Sequence, residues 1–245
     1  MRPVRRGAAP QSNDFDPYND ARSYLVSRLG LYCSYCERRI ATNLAVEHIQ
    51  PKAGPYGRPY LIGRWENFLL ACVNCNSAKQ DKNVILANVL LPDRDNTFAA
   101  FAYLPDGTVK PSTTLPTALA GKASDTLALT GLDKKISVAL DKNGRQVALD
   151  RVSQRMETWA VAMEARSDVD ANPDNVAVKD GVIRAAKAYG FFSIWMTIFS
   201  DDSDMRNRLI DAFEGTRESG CFDPVTTLPV SPAPNPDDLV DGAKV

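Results

Sequence analysis

The chain of 245 residues contains a single histidine, His48, and its 30 acidic residues almost balance its 29 lysines and arginines. A formal net charge of -1 excludes a polycation that coats nucleic acid through bulk charge alone. Long apolar runs are also missing, since the most apolar stretch, residues 191–199, is too short to span a membrane. The basic N-terminus lacks the apolar segment of a secretory signal. We therefore expect a soluble, cytoplasmic protein with a globular core.

The charged residues are unevenly distributed along the chain. Residues 1–82 hold 12 lysines and arginines against 7 acidic residues, a net charge of +5, whereas residues 83–245 hold 17 against 23, a net charge of -6. This asymmetry indicates a polyanion site in the first part. A solvated surface of mixed charge would give the same counts, so composition alone leaves both interpretations open.

Four of the five cysteines form two close pairs. Cys33 with Cys36 and Cys72 with Cys75 are Cys-x-x-Cys pairs, and 35 residues separate them. Thiolates suit zinc, and four of them fill its tetrahedral coordination with no place left for water. In a chain without a secretory signal, this spacing predicts a structural zinc site and not disulfides. A redox pair is the competing interpretation of either pair alone, and Cys221 is expected to be an incidental thiol.

Residues suited to phosphodiester chemistry surround His48 in the sequence. Its imidazole, with an ordinary pKa of about 6.5, is mostly neutral at pH 7 and can accept a proton from water. Glu47 and Asn76 offer hard oxygen ligands to Mg²⁺ or Mn²⁺. Lys52 and Lys79 can neutralise phosphate charge. A lone histidine is more often a packed or surface residue, and the cluster of these groups between two zinc half-sites favours catalysis instead.

Three short motifs in this region resemble those of a known family. They are Glu-His-x-x-Pro-Lys at residues 47–52, Trp-Glu-Asn at 65–67 and Cys-x-x-Cys-Asn-x-x-Lys at 72–79. Together they resemble the HNH nucleases, which have a ββα-metal fold, here with flanking zinc knuckles. The resemblance implies an endonuclease that hydrolyses DNA or RNA, and the motifs do not distinguish the two polymers because the chemistry takes place at the phosphate.

The resemblance also implies a role for each site residue. His48 would activate water, Glu47 and Asn76 would bind one catalytic Mg²⁺ or Mn²⁺, and Asn67 would hold the loop that aims His48. Two positions depart from the family pattern, which more often has aspartate where Glu47 stands and, in many members, histidine where Asn76 stands. These departures put the strength and geometry of metal binding in question, but they leave the general base in place.

Scattered residues outside the motifs extend the likeness. The Met-Arg-x-Val start and residues 98–111 resemble the HNH subunits encoded beside an ATPase in bacterial anti-phage systems, namely the Septu type (PtuB-like) and retron-associated relatives. That resemblance implies a partner ATPase to which an acid-rich helical region docks. A non-catalytic zinc module that binds nucleic acid or a protein is the alternative, and it would need the cysteines but not His48, Asn67 or Asn76.

The hydrophobic pattern predicts an α+β protein in three parts. Residues 1–92 would hold an N-terminal arm and a small zinc-stapled ββα-metal unit, with strands over 44–48 and 68–72. Residues 93–222 would be mostly α-helical with one β-hairpin at a Pro-Asp-Gly turn, and their helices are expected over 115–129, 146–166, 182–199 and 205–213. Residues 223–245 would form a Pro-rich tail, either loose or acting as a docking strap.

Overall fold

The computed structural model describes residues 1–42, 44–134, 139–140, 146–148 and 150–245. The α-helices of this part are α1 (Ala21–Leu29), α2 (Val73–Lys79), α3 (Thr97–Ala100), α4 (Thr117–Thr130), α5 (Arg151–Ala171), α6 (Val176–Tyr189), α7 (Phe192–Ile198) and α8 (Ser203–Ala212). The antiparallel strand pairs are β1 (Ala45–His48) with β2 (Phe68–Ala71), β3 (Phe101–Tyr103) with β4 (Val109–Pro111), and β5 (Ala139–Leu140) with β6 (Gln146–Ala148). The α+β class is confirmed.

The first strand pair and α2 form the predicted ββα unit. All four residues of β2 are buried, and its register places His48 opposite Phe68 and Glu47 opposite Leu69. Helix α2 begins directly after β2, because Cys72 adopts an extended conformation and its sulfur accepts a hydrogen bond from the Cys75 amide at 3.5 Å. His48 at the end of β1 and Asn76 in α2 are therefore held by the same buried strand pair and helix.

The first Cys-x-x-Cys segment packs against the junction between α6 and α7. The Glu37 carboxylate accepts hydrogen bonds from the Tyr103 hydroxyl at 2.8 Å and from the Ser193 hydroxyl and amide at 2.6 and 2.7 Å. Its backbone carbonyl accepts from the Phe191 amide at 3.0 Å. The zinc-binding segment is therefore joined to the helical region through one buried acidic residue.

The N-terminal arm is extended but not free. Met1, Arg2, Val4 and Arg6 are buried, and Arg6 donates a hydrogen bond to the backbone carbonyl of the first residue of β2. Arg6 also pairs with the buried carboxylate of Asp93 at 3.0 Å. This ion pair and hydrogen bond brace the strand that lies opposite His48.

The Pro-rich tail packs back onto the segment that precedes α3. The Ala243 amide donates to the Arg94 carbonyl at 2.7 Å, and Lys244 pairs with Asp95 at 3.1 Å. The tail therefore forms a strap on the chain's own surface. Side chains from all three predicted parts, such as Leu25, Trp195 and Val245, belong to one hydrophobic cluster. The division into separate domains stays a prediction.

Two predicted helices need correction. The helix expected over 146–166 begins only at Arg151, where the Asp150 side chain accepts from the Ser153 amide at 2.8 Å, and residues 146–148 form a strand instead. Residue 149 of that prediction lies outside the described residues. The helix expected over 182–199 is divided between α6 and α7 at Gly190 and Phe191, which have φ angles of +76° and +55°. The hairpin around Pro105-Asp106-Gly107 is confirmed as β3 and β4.

A second short strand pair, β5 with β6, lies beyond the single hairpin expected. None of the helices in the described part of the chain combines the length and the apolar character needed to cross a bilayer.

Gly190 is the position at which the backbone conformation is most restrictive. Its φ of +76° with ψ of -144° is a combination that essentially only glycine adopts, and an added Cβ would lie 2.5 Å from the Glu37 carbonyl oxygen. We expect Gly190→Ala to lower the free energy of unfolding by at least about 2 kcal/mol. Gly121→Ala in α4 is the matched control, since its Cβ would meet nothing within 4 Å and should stabilise by about 0.5–1 kcal/mol. Urea unfolding of both variants measures the difference, and equal stability would contradict this account.

Candidate active site and metal centre

The four paired cysteines converge on one buried point. Their sulfur atoms all lie within 4.8 Å of one another, and those of Cys36 and Cys72 are 3.7 Å apart. A tetrahedral Zn²⁺ with Zn–S bonds of about 2.3 Å requires sulfur separations of about 3.8 Å. Burial raises the pKa of the Cys33 thiol, and a divalent cation among the sulfurs would supply the charge that favours thiolates. The donor set and spacing therefore fit zinc.

Arg151, the first residue of α5, supplies a positive charge beside these sulfurs. Its guanidinium donates to the Cys75 sulfur at 3.2 Å and to the backbone carbonyls of Thr130 and Gly131 at 3.2 and 2.6 Å. Four thiolates around Zn²⁺ carry a net charge of about -2, which is costly to bury without a nearby cation. The helical region thus contributes to the metal centre, and sequence patterns do not reveal this contact because 75 residues separate the two partners.

Three of the four predicted catalytic residues, and both predicted phosphate ligands, line one cleft of about 300 Å³. Its walls come from the end of β1, the loop that follows it, α2 and the N-terminal segment. The cleft brings together five of the residues selected from the sequence, Glu47, His48, Lys52, Asn76 and Lys79. The β1–β2 pairing and the position of α2 therefore bring residues from separate motifs into one cleft.

His48 is held in a defined orientation within this cleft. Its Nε2 donates to the Ile62 carbonyl at 2.9 Å, since a backbone carbonyl can only accept. Tyr18 and Phe68 contact the imidazole edge-to-face at centroid distances of 4.7 and 5.2 Å. Burial lowers the pKa of His48, the hydrogen bond to Ile62 offsets part of this, and the Lys52 ammonium lowers it further. The ring is therefore neutral at pH 7, and its Nδ1 makes no hydrogen bond to the described residues.

Glu47 and Lys79 form a buried ion pair at the base of the cleft. The Glu47 Oε1 atom lies 3.0 Å from the Lys79 ammonium and accepts a 3.5 Å hydrogen bond from Tyr35. Both partners are almost fully buried, and burial raises the pKa of Glu47 although Lys79 opposes the shift. Lys79 lines the cleft, yet its charge is already engaged by Glu47. Its role as a phosphate ligand stays a prediction that requires this pair to open.

The oxygen donors in the cleft fit a single hard cation. The second carboxylate oxygen of Glu47, Oε2, makes no hydrogen bond to the described residues, and exposed Asn76 adds an amide oxygen from α2. Mg²⁺ in particular is commonly held by one or two protein oxygens with water and phosphate as further ligands. Glu47 and Asn76 are the residues that would hold such an ion.

Asn67, the fourth predicted catalytic residue, does not line this cleft and lies at the end of the loop between β1 and β2, next to a second pocket. Its Oδ1 accepts from the Gln50 amide at 2.8 Å, while its Nδ2 donates to the Gln50 carbonyl at 3.0 Å and to the Leu61 carbonyl at 3.4 Å. Its own carbonyl accepts from the Ile49 amide at 2.8 Å. These bonds join both ends of the loop directly after His48.

Two contacts of His48 have no counterpart in the motifs. Tyr18 belongs to the polar N-terminal segment, and Ile62 acts through its backbone carbonyl, which side-chain patterns do not report. Cys221 is outside the metal centre, and burial raises the pKa of its thiol to about 11. It is therefore protonated at neutral pH, as expected of an incidental thiol.

Known proteins show similarity to this same region. The HNH endonuclease family matches residues 33–82, so that part of the chain is an HNH endonuclease domain. The matched segment contains both cysteine pairs, the β1–β2 pair and α2. The resemblance of this region to HNH nucleases is thereby confirmed.

One curated relative is a Vibrio cholerae serotype O1 biovar El Tor protein named "Retron Vc95 putative HNH endonuclease". It is 28% identical to this chain over 86 residues, which are 32% of this chain and 42% of the relative. The aligned region thus spans less than half of either protein. The narrower likeness to the Septu type stays a prediction.

Removal of Arg151 tests its contribution to the metal centre. We expect Arg151→Ala to weaken zinc retention by about 10- to 100-fold, the usual effect of losing a group that hydrogen-bonds a metal ligand, and Arg151→Lys to lose less. Arg166→Ala is the matched control, because this arginine of the same helix pairs with exposed Asp201 instead. Zinc transfer to a chromogenic chelator measures the effect. Equal transfer from all variants would show that Arg151 does not stabilise the centre.

Proposed function

We propose that this chain is a metal-dependent endonuclease that hydrolyses phosphodiester bonds of nucleic acids. The observation that supports this most directly is the cleft in which His48, with an available Nδ1 atom, lies next to Glu47 and near Asn76. The HNH endonuclease domain at residues 33–82 supports the same reaction class. A purely structural zinc module would have no need of an oriented neutral histidine beside free oxygen donors.

His48 is the general base in this proposal. The hydrogen bond from Nε2 to Ile62 favours the tautomer that leaves the Nδ1 lone pair available to take a proton from water. The resulting hydroxide attacks the phosphorus atom opposite the leaving oxygen, the bond between phosphorus and that oxygen breaks, and the departing oxygen takes a proton from solvent. The surrounding rings of Tyr18 and Phe68 limit rotation of the imidazole, so little reorientation is needed before proton transfer.

Glu47 and Asn76 are proposed to hold a divalent ion, Mg²⁺ or Mn²⁺. When bound, this ion supplies Lewis-acid stabilisation of the negative charge that develops on the phosphate oxygens. Lys52 lines the same cleft, with its ammonium 3.8 Å from the centre of the Tyr18 ring, and is proposed to contact a substrate phosphate. Lys79 would join it where its pair with Glu47 opens.

The biological setting we propose is anti-phage defence with a partner ATPase. The resemblance of the chain to HNH subunits of such systems, and the retron named in its relative, support this setting. The acidic excess of residues 83–245 offers a surface for a basic partner face. Copurification of the chain with an ATPase encoded beside it is the direct test.

Replacing the base should abolish most cleavage. General-base catalysis typically contributes about 10²–10⁴-fold, so His48→Ala should reduce the rate by at least that order. Plasmid DNA and total RNA are incubated with zinc-loaded wild type and variant, with added Mg²⁺ or Mn²⁺ and with none. Matched zinc content and melting temperature control for folding. Cleavage by the variant at the wild-type rate would refute the assignment, and absence of cleavage by both would favour a binding module or a missing partner.

Asn67 should act through His48, because its bonds fix the loop that begins beside that residue. We expect Asn67→Ala to reduce kcat by about 10-fold or more while KM changes little, since misplacement of a reacting group is costly. The control is the double variant with His48→Ala. If Asn67 only positions the base, its loss should have no further effect there. An equal loss in both backgrounds would assign Asn67 a role independent of His48.

A further inference from the structure

We infer that residues 51–64, within the loop of residues 49–67 between β1 and β2, are a stacking surface for unpaired nucleobases, with Tyr56 and Tyr60 as the stacking side chains. This inference rests on the proposed nuclease function, and it names the substrate class of the same site. The substrate would be a nucleic acid with single-stranded nucleotides next to the bond that is cut.

The charge of the β1–β2 loop suits a polyanion. The whole loop, residues 49–67, includes the cations Lys52, Arg58 and Arg64 against one acidic residue, Glu66, although the whole chain has slightly more acids than bases. Arg64 pairs with Asp14 at 3.3 Å in an exposed position, whereas Lys52 and Arg58 have no salt bridge within the described residues. The loop therefore keeps positive charge available for phosphate groups.

Tyr56 and Tyr60 are the most exposed aromatic side chains in the described part of the chain, at 52% and 67%. Ile62 of the same loop is 46% exposed. Tyrosine rings offer a flat surface on which any base can stack, and single-strand binding sites combine such rings with cationic groups. Neither ring has an aromatic or cation–π contact among the described residues that would explain its position.

Backbone contacts hold these rings on an ordered support. The Arg58 amide donates to the Pro51 carbonyl at 2.7 Å, the Gly57 amide donates to the Gly54 carbonyl at 3.0 Å, and Pro59–Leu61 form a helical turn. Because the loop is already folded, ordering it on binding costs little conformational entropy. Tyr56 and Tyr60 are therefore held in place before any ligand binds.

The same loop is hydrogen-bonded to the general base. Ile62, whose carbonyl accepts from His48, is two residues beyond Tyr60, and their Cα atoms are therefore no more than about 7.6 Å apart. The Tyr60 side chain lines a second pocket with Ile49 and Gln50, the two residues that follow His48, so a base stacked there would belong to a nucleotide close to the reacting phosphate. In a duplex the base faces are covered by their neighbours, so only unpaired or extruded nucleotides could use this surface.

The test measures binding separately from cleavage. The full chain carrying His48→Ala, loaded with zinc and without added Mg²⁺ or Mn²⁺, is titrated against labelled oligothymidylate and oligouridylate of about 16 nucleotides and a duplex of the same length. Fluorescence anisotropy is recorded between about 50 and 200 mM salt, where phosphate contacts are revealed by their salt dependence. The variants are Tyr56→Ala, Tyr60→Ala and Tyr60→Phe, and Tyr189→Ala is the control because that tyrosine is 37% exposed but lies outside the loop.

We expect single strands to bind more tightly than the duplex, and each tyrosine-to-alanine change to weaken single-strand binding by about 5- to 150-fold. Tyr60→Phe and Tyr189→Ala should bind like the parent, and duplex binding should be unchanged. Equal binding of duplex and single strand with no effect of either alanine variant would overturn the inference, while cleavage by wild type would leave the nuclease function intact. If no polymer binds while wild type cleaves, the inference alone fails; if no polymer binds and wild type does not cleave even with its copurified partner present, both proposals fail.

Discussion

Cys36 and Cys72 come from segments 35 residues apart, and their sulfurs lie 3.7 Å from each other. Everything between them, including β1 and the loop that contacts His48, is closed into one ring when a metal joins the four sulfurs. A unit of two four-residue strands and a seven-residue helix has little apolar surface of its own, and a bound structural zinc can contribute on the order of 10 kcal/mol to its folding. Cys72 also begins α2, so the metal centre orients the helix that carries Asn76 and Lys79.

The helical region completes this centre instead of merely following it in sequence. Arg151 brings a cation to the Cys75 sulfur, and Glu37, one residue after Cys36, is held by Tyr103 and Ser193. These contacts bring both halves of the four-cysteine site against elements beyond residue 92. Helices α5 and α7 are therefore linked to the four-cysteine site by a charged contact and by hydrogen bonds.

Local motifs predicted the ββα unit because each of its parts has a short sequence signal: short apolar runs for the strands, cysteine spacing and a helix start. The same reasoning failed over residues 182–199, where a continuous apolar pattern hid the break at Gly190 and Phe191. That break exists to admit the Glu37 backbone, a contact over more than 150 residues of sequence. The Lys79 ion pair was missed for the same reason, since a motif lists a lysine without its partner. Pattern identifies reactive groups, while burial decides which of their charges remain available.

The charges at the inside of the cleft and in the β1–β2 loop differ in whether the protein itself neutralises them. Lys79 satisfies one oxygen of Glu47 from within the protein, so the buried carboxylate is not left uncompensated before a cation arrives. In the β1–β2 loop, in contrast, Lys52 and Arg58 have no salt bridge among the described residues and can contact phosphate groups. Because the Glu47–Lys79 pair is neutral and these two loop cations are not paired within the described chain, we expect a nucleic acid to contact the loop before it reaches the cleft. In the proposed mechanism, cleavage then requires a strand that brings a phosphate within reach of His48, whose ring Tyr18 contacts.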